Sequence, residues 1–139
     1  MKPERLELEI TESVLANIES TIPILKEIRG LGVRISVDDF GTGYSSLSYI
    51  KGLPIDTIKV DRSFVKDIHK NKESKEIAKA ILNLANSIGL NTIAEGIELK
   101  EPVKELCEEG YGLGQGFYYN RPLKKCAFEE YMESIYEVS

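Results

Sequence analysis

At 139 residues the sequence is long enough for one hydrophobic core and too short for two ordinary domains. Its 42% hydrophobic and 29% charged residues exclude a disordered chain, and a net charge of -5 with acids spread throughout argues against a general nucleic-acid-binding surface. No apolar run approaches the ~20 residues of a membrane span, and Met1-Lys2-Pro3-Glu4-Arg5 does not lead into a signal-peptide core.

Leu6-Glu7-Leu8-Glu9-Ile10 alternates with the period of a strand, Leu6, Leu8 and Ile10 on one face and Glu7 and Glu9 on the other. Ile18, Ile22, Leu25 and Ile28 then recur at helical spacing over 18–29, with Ser20 or Thr21 as N-cap before Pro23 and Gly30 as stop. Val33 to Asp38 is the second strand, a short helix is expected over 46–51, and Asp56 to Asp61 is the third strand. Ser63 to Ile68 predicts a helical turn, and Lys70 to Lys75, with the lone His69 before it, a polar surface loop. Glu76 to Ile88 carries a helical stripe of Ile77, Ile81, Leu84, Ala85 and Ile88, closed by Gly89. A fourth strand spans Asn91 to Glu95, and a helix over 100–109 turns Val103, Leu106 and Cys107 inward. A short fifth strand covers Leu113 to Tyr119, and a final amphipathic helix from about Ala127 to Tyr136 uses Phe128, Tyr131, Met132 and Ile135. Cys107 and Cys126 have neither CxxC spacing nor histidine companions, and read as reduced thiols of a cytoplasmic protein.

Strands alternating with helices at these intervals predict β-α units and a parallel sheet. Ligands of such sheets bind at the C-terminal strand ends, and Glu9, Asp38, Lys59, Glu95 and Gln115 each fall at or near such an end, on five different strands. Asp38 and Asp39 are followed by the glycine-rich Gly41-Thr42-Gly43, which lets the chain turn away while the acids stay on the strand. Paired carboxylates there suit a hard divalent cation, a second acid serving a second ion. Each position has a plainer reading: an Asx-type turn for the aspartate pair, a solvated strand face for Glu9 and Glu7, a snorkelling lysine for Lys59. Helix capping would account for Glu95, Glu98 and Glu12, and an edge turn for Gln115. Five such coincidences in register favour a site.

The series Leu8-Glu9-Ile10-Thr11-Glu12, Asp38-Asp39-Phe40-Gly41-Thr42-Gly43, Ile58-Lys59-Val60-Asp61, Ala94-Glu95-Gly96-Ile97-Glu98 and Gln115-Gly116-Phe117 resembles the EAL-domain family of cyclic di-GMP phosphodiesterases, in order and across almost the whole chain. The resemblance implies an α/β fold, a partial TIM-type (β/α) barrel of about five parallel strands with covering helices. It also implies a bacterial signalling hydrolase that opens cyclic di-GMP to linear pGpG with Mg²⁺ or Mn²⁺. By resemblance, Glu9 and Asp38 are ligands of one metal and Asp38 and Asp39 of the second. Lys59 matches the lysine that helps hold the attacking water and Glu95 the general base. Glu12 matches the residue that steadies the aspartate loop, and Glu98 and Gln115 supporting positions near the ligand.

The Glu-Ala-Leu element that names the family is absent, as is the asparagine-bearing strand that precedes Glu9 in its members. Residues 1–139 are therefore expected to be the C-terminal portion of an EAL domain, truncated on its N-terminal side, inactive or impaired alone, with sensory or cyclase domains in a longer parent chain. Open sheet edges predict a homodimer. The competing function is a non-catalytic cyclic di-GMP sensor or protein-interaction module. No DNA partner and no membrane segment are expected.

Overall fold

The computed structural model describes residues 1–42 and 50–138. Four strands, β1 (Glu7–Thr11), β2 (Arg34–Phe40), β3 (Thr57–Val60) and β4 (Asn91–Ala94), form one parallel sheet in the order β1-β2-β3-β4. Helices of the described residues accompany it: α1 (Ile18–Gly30), α2 (Arg62–Val65), α3 (Lys72–Ser87), α4 (Lys100–Glu109) and α5 (Lys125–Val138). Short 3-10 turns, Pro3–Arg5 and Glu12–Asn17, flank β1.

Register gives the sheet two chemically different faces. Glu9 pairs with Ser36 and Ser36 with Thr57, while Thr11 pairs with Asp38, so a polar set shares one face with Lys59, two residues beyond Thr57. Ile10, Val37 and Ile58 pair across the same strands on the other face, and Val60 and Ala94 continue it. These residues pack with Leu25, Val65, Ala78, Ile81, Leu82, Ala85 and Leu106 of the helices into a single apolar core. Full burial of an aliphatic side chain such as Ile58 contributes about 1.5–3 kcal/mol, so the helix-facing side of the sheet holds the fold together. The polar face is left for chemistry.

Several sequence expectations change. α1 begins at Ile18 with Asn17 as N-cap; Ser20 and Thr21 lie inside the first turn, where their hydroxyls donate to the Asn17 carbonyl at 3.0 and 2.8 Å. The polar run at Lys72–Lys75 is helical, because Asn71 caps α3 by accepting from the Ser74 N–H at 3.1 Å. Cys107 is exposed, and His69 is half-buried instead of lying on the surface. The fifth strand is represented by one bridge, Ala94 to Gly114, with Gln115 N donating to Ala94 O at 2.8 Å. The chain turns at Gly116, where an added Cβ would stand 2.1 Å from the Ile97 carbonyl oxygen, and pairing stops. The final helix forms, but Phe128, Tyr131 and Ile135 are exposed instead of covered. The short helix expected over 46–51 falls mainly outside the described residues.

Candidate active site

β2 ends in an irregularity that creates the site. Neighbouring residues of a regular strand face opposite sides, which would separate the carboxylates of Asp38 and Asp39. Here the β2–β3 register shifts between Val37 and Phe40, and Asp39 adopts φ 54°, a left-handed conformation rare outside glycine, asparagine and aspartate. The turn brings both carboxylates to one place. Asp38, Asp39 and Glu95 each offer a carboxylate oxygen within 4.8 Å of the others. The Asp39 N–H donates to Asp38 Oδ1 at 2.9 Å and fixes the pair.

Lys59 is the buried cation opposite these acids. Only 1% of its side chain is exposed, and its Nζ donates to Glu9 Oε1 and to Glu95 Oε1, the latter at 3.0 Å. Desolvation works against its charge, but hydrogen bonds to Glu9 and Glu95 outweigh it and hold the ammonium above the usual lysine range. Burial, reinforced by a hydrogen bond with Asp38, pushes Glu95 up to about 7 despite the opposing charge of Lys59. Asp39 is raised as well, by burial first and then by the charge of Asp38 and contact with Asp61. Such crowding favours either shared protons or a cation.

Asp61 was not among the residues selected from the sequence. It caps α2, accepting from the Ser63 N–H at 2.8 Å, and those hydrogen bonds hold it below the usual carboxylate range although burial opposes them. Its place directly after Ile58-Lys59-Val60, at the end of β3, was the available signal.

Of the residues selected from sequence, the structure joins Glu9, Asp38, Asp39, Lys59 and Glu95 in one network, Glu9 entering it through Lys59. Glu12, half-buried, heads the turn after β1, and part of the aspartate loop it was expected to steady, residues 43–46, lies outside the described residues. Glu98 pairs with Arg62 at 3.0 Å, and the Arg62 stem lies so close to Gly96 that an added Cβ would meet its Cγ at 2.4 Å. Gln115 is exposed; its main chain, bonded to Ala94 and Ile97, does the positioning. The all-oxygen donors of Asp38, Asp39 and Glu95 suit a hard divalent cation.

Known proteins resemble this chain in sequence and fold. A protein of Pseudomonas aeruginosa described as "Cyclic di-GMP phosphodiesterase NbdA" is 48% identical over 130 residues, covering 93% of this chain and 17% of its own length. The chain thus spans less than a fifth of that relative. The solved EAL domain of Mycobacterium smegmatis DcpA superposes with TM-score 0.86 at 40% identity, over 92% of this chain and 58% of that one. Klebsiella pneumoniae BlrP1, solved as a manganese and cyclic di-GMP complex, gives TM-score 0.82 at 33% identity over 88% of this chain and 31% of that one. A family model described as "EAL domain" matches residues 1–122, and the chain belongs to that family.

Proposed function

We propose that this chain carries the metal-binding and general-base side of a phosphodiesterase site that hydrolyses cyclic di-GMP to linear pGpG. The observation that carries the reading is Lys59, buried and joined at once to Glu9 and Glu95, with Glu95 beside the Asp38–Asp39 pair. The names of the relatives and the manganese and cyclic di-GMP bound to BlrP1 support it. Asp38 and Asp39, with Glu9 once Lys59 yields it, are the residues that would hold Mg²⁺ or Mn²⁺. Such ions supply an activated water and neutralise phosphate charge.

The chain's own residues perform the remaining work. In the hydrolysis a water oxygen bonds to phosphorus as the bond from phosphorus to the bridging ribose oxygen breaks. One water proton goes to Glu95, and the departing ribose oxygen is protonated in turn. Glu95 stands at the meeting point of β4 and the aspartate pair, within reach of a water placed among these acids. Lys59 orients Glu95 by a 3.0 Å ion pair and sets a fixed positive charge near the developing phosphate charge. Glu12 is read as steadying the aspartate loop, and Glu98, paired with Arg62, and Gln115 as supporting positions near the ligand. We also read the chain as the C-terminal portion of an EAL domain whose turnover alone is impaired, since it holds no Glu-Ala-Leu sequence. The second reading is a cyclic di-GMP sensor that binds without turnover.

The test is to incubate the purified chain with cyclic di-GMP and Mn²⁺, follow pGpG by chromatography, and record melting curves beside it. Mn²⁺ at about 100 times its dissociation constant is expected to stabilise the chain by about 2.7 kcal/mol, an effect lost in Asp38→Asn. Product formation is expected to be slow and to fall at least ~100-fold in Glu95→Gln. Absence of any Mn²⁺ stabilisation would overturn the metal site. Nucleotide-dependent stabilisation with no product would select the sensor.

A further inference from the structure

Ser36, at the centre of β2, is fully buried, and its Oγ has no hydrogen-bond partner among the described residues. A buried hydroxyl in that position costs stability unless something bonds to it. Register sets Ser36 between Glu9 on β1 and Thr57 on β3, so three polar side chains form a row across the sheet one layer beneath Asp38. Thr57 is itself only 5% exposed.

Lys59 follows Thr57 on the same face of β3 and is a diagonal neighbour of Ser36. An ammonium has three donors, and Glu9 and Glu95 take two of them. A stranded acceptor and a spare donor thus lie buried on the same face of adjacent strands, with Thr57, the register partner of Ser36, between them. A site that holds an internal water needs two to four polar partners, and Ser36 Oγ, Thr57 Oγ1 and Lys59 Nζ are three.

We propose that these three groups hold a single internal water, which provides the third hydrogen bond of the Lys59 ammonium. Ser36 is then a positioning residue: through the water it fixes where Lys59 stands between Glu9 and Glu95. The assignment stands on the geometry of β2 and β3 and holds whether or not the chain turns over a nucleotide.

The sign of one substitution separates this from a merely tolerated hydroxyl. Ser36→Ala is expected to lower the melting temperature by about 3–6 °C and to speed proton exchange of the Lys59 ammonium about fivefold, read by nitrogen-15 NMR on lysine-labelled chain. In a Lys59→Met background Ser36→Ala should no longer lower the melting temperature. The unmodified chain should also show a water cross-relaxation peak at the Ser36 β protons. A Ser36→Ala chain that melts higher, having lost only a stranded polar group, overturns the proposal. So does the absence of the water peak in the unmodified folded chain, however the variant behaves.

Discussion

Two side chains decide how the site behaves, and the first is Glu95. Its folded-state value of about 7 lies above the ordinary 4.5, so folding favours its protonated form. That contribution is complete below about pH 4.5 and is lost as pH rises through about 7. In chelator, melting curves taken from pH 5 to 8 should therefore show stability falling with pH, and Glu95→Gln should remove most of the slope. Mn²⁺ held by the neighbouring aspartates should restore stability at the alkaline end, since a cation beside Glu95 favours its ionised form. Asp39 is the second. Its left-handed backbone, φ 54°, is a conformation that costs of order 1–3 kcal/mol for most side chains. Asp39→Val should destabilise the chain by about that amount. Asp39→Gly should leave the melting temperature equal or higher while abolishing the response to Mn²⁺. Site chemistry and local stability are separable at this one residue, and paired melting curves read both.

At the scale of elements, much of the layout was legible because the signals were local and strong. β1 alternates strictly, α4 runs over the predicted 100–109, and the stripe Ile77, Ile81, Leu84, Ala85 carries α3. Boundaries failed where a side chain overrode the pattern: Asn71 capping made Lys72 to Lys75 helical, and Asn17 displaced Ser20 and Thr21 as the cap of α1. The sequence placed Glu9, Asp38, Lys59 and Glu95 at or near the ends of four strands, and the structure brings them into one network, although Glu9 lies in the middle of β1. The sequence did not reveal the turn that sets Asp39 beside Asp38, because alternation alone places neighbours on opposite faces. Asp61, read from sequence only as the end of the third strand, caps the helix that follows and touches Asp39. The fifth strand contracted to a bridge because Gly116 packs directly on the Ile97 backbone, a contact between residues distant in sequence. Gly116→Ala should accordingly cost about 2 kcal/mol through overpacking and detach the Gln115 segment, measurable as faster amide exchange at Gln115 and Ile97.

For the whole molecule the sheet is the governing fact: four parallel strands, one face sealed by helices and the other carrying the acids. β1 stands at one end of the strand order, with Leu6 and Leu8 49% and 39% exposed, and α5 presents Phe128, Tyr131 and Ile135 outward. Unpaired strand edges and apolar patches of this kind recruit partners, and we expect the chain to be a homodimer. Light scattering at two concentrations checks this, and a monodisperse monomer at both would refute it.

The Lys59 ammonium has one more consequence, for the order of assembly. By standing between Glu9 and Glu95 it neutralises part of the acidic cluster from within, so the chain can complete its fold without an exogenous ion to hold those carboxylates apart. On the proposed reading, folding and metal loading would be successive events, unlike in small domains where the ion is the nucleus of the structure. An ion held by Glu9 would displace the Lys59 ammonium there, so its affinity would reflect the difference between two cations and its release would leave the architecture in place.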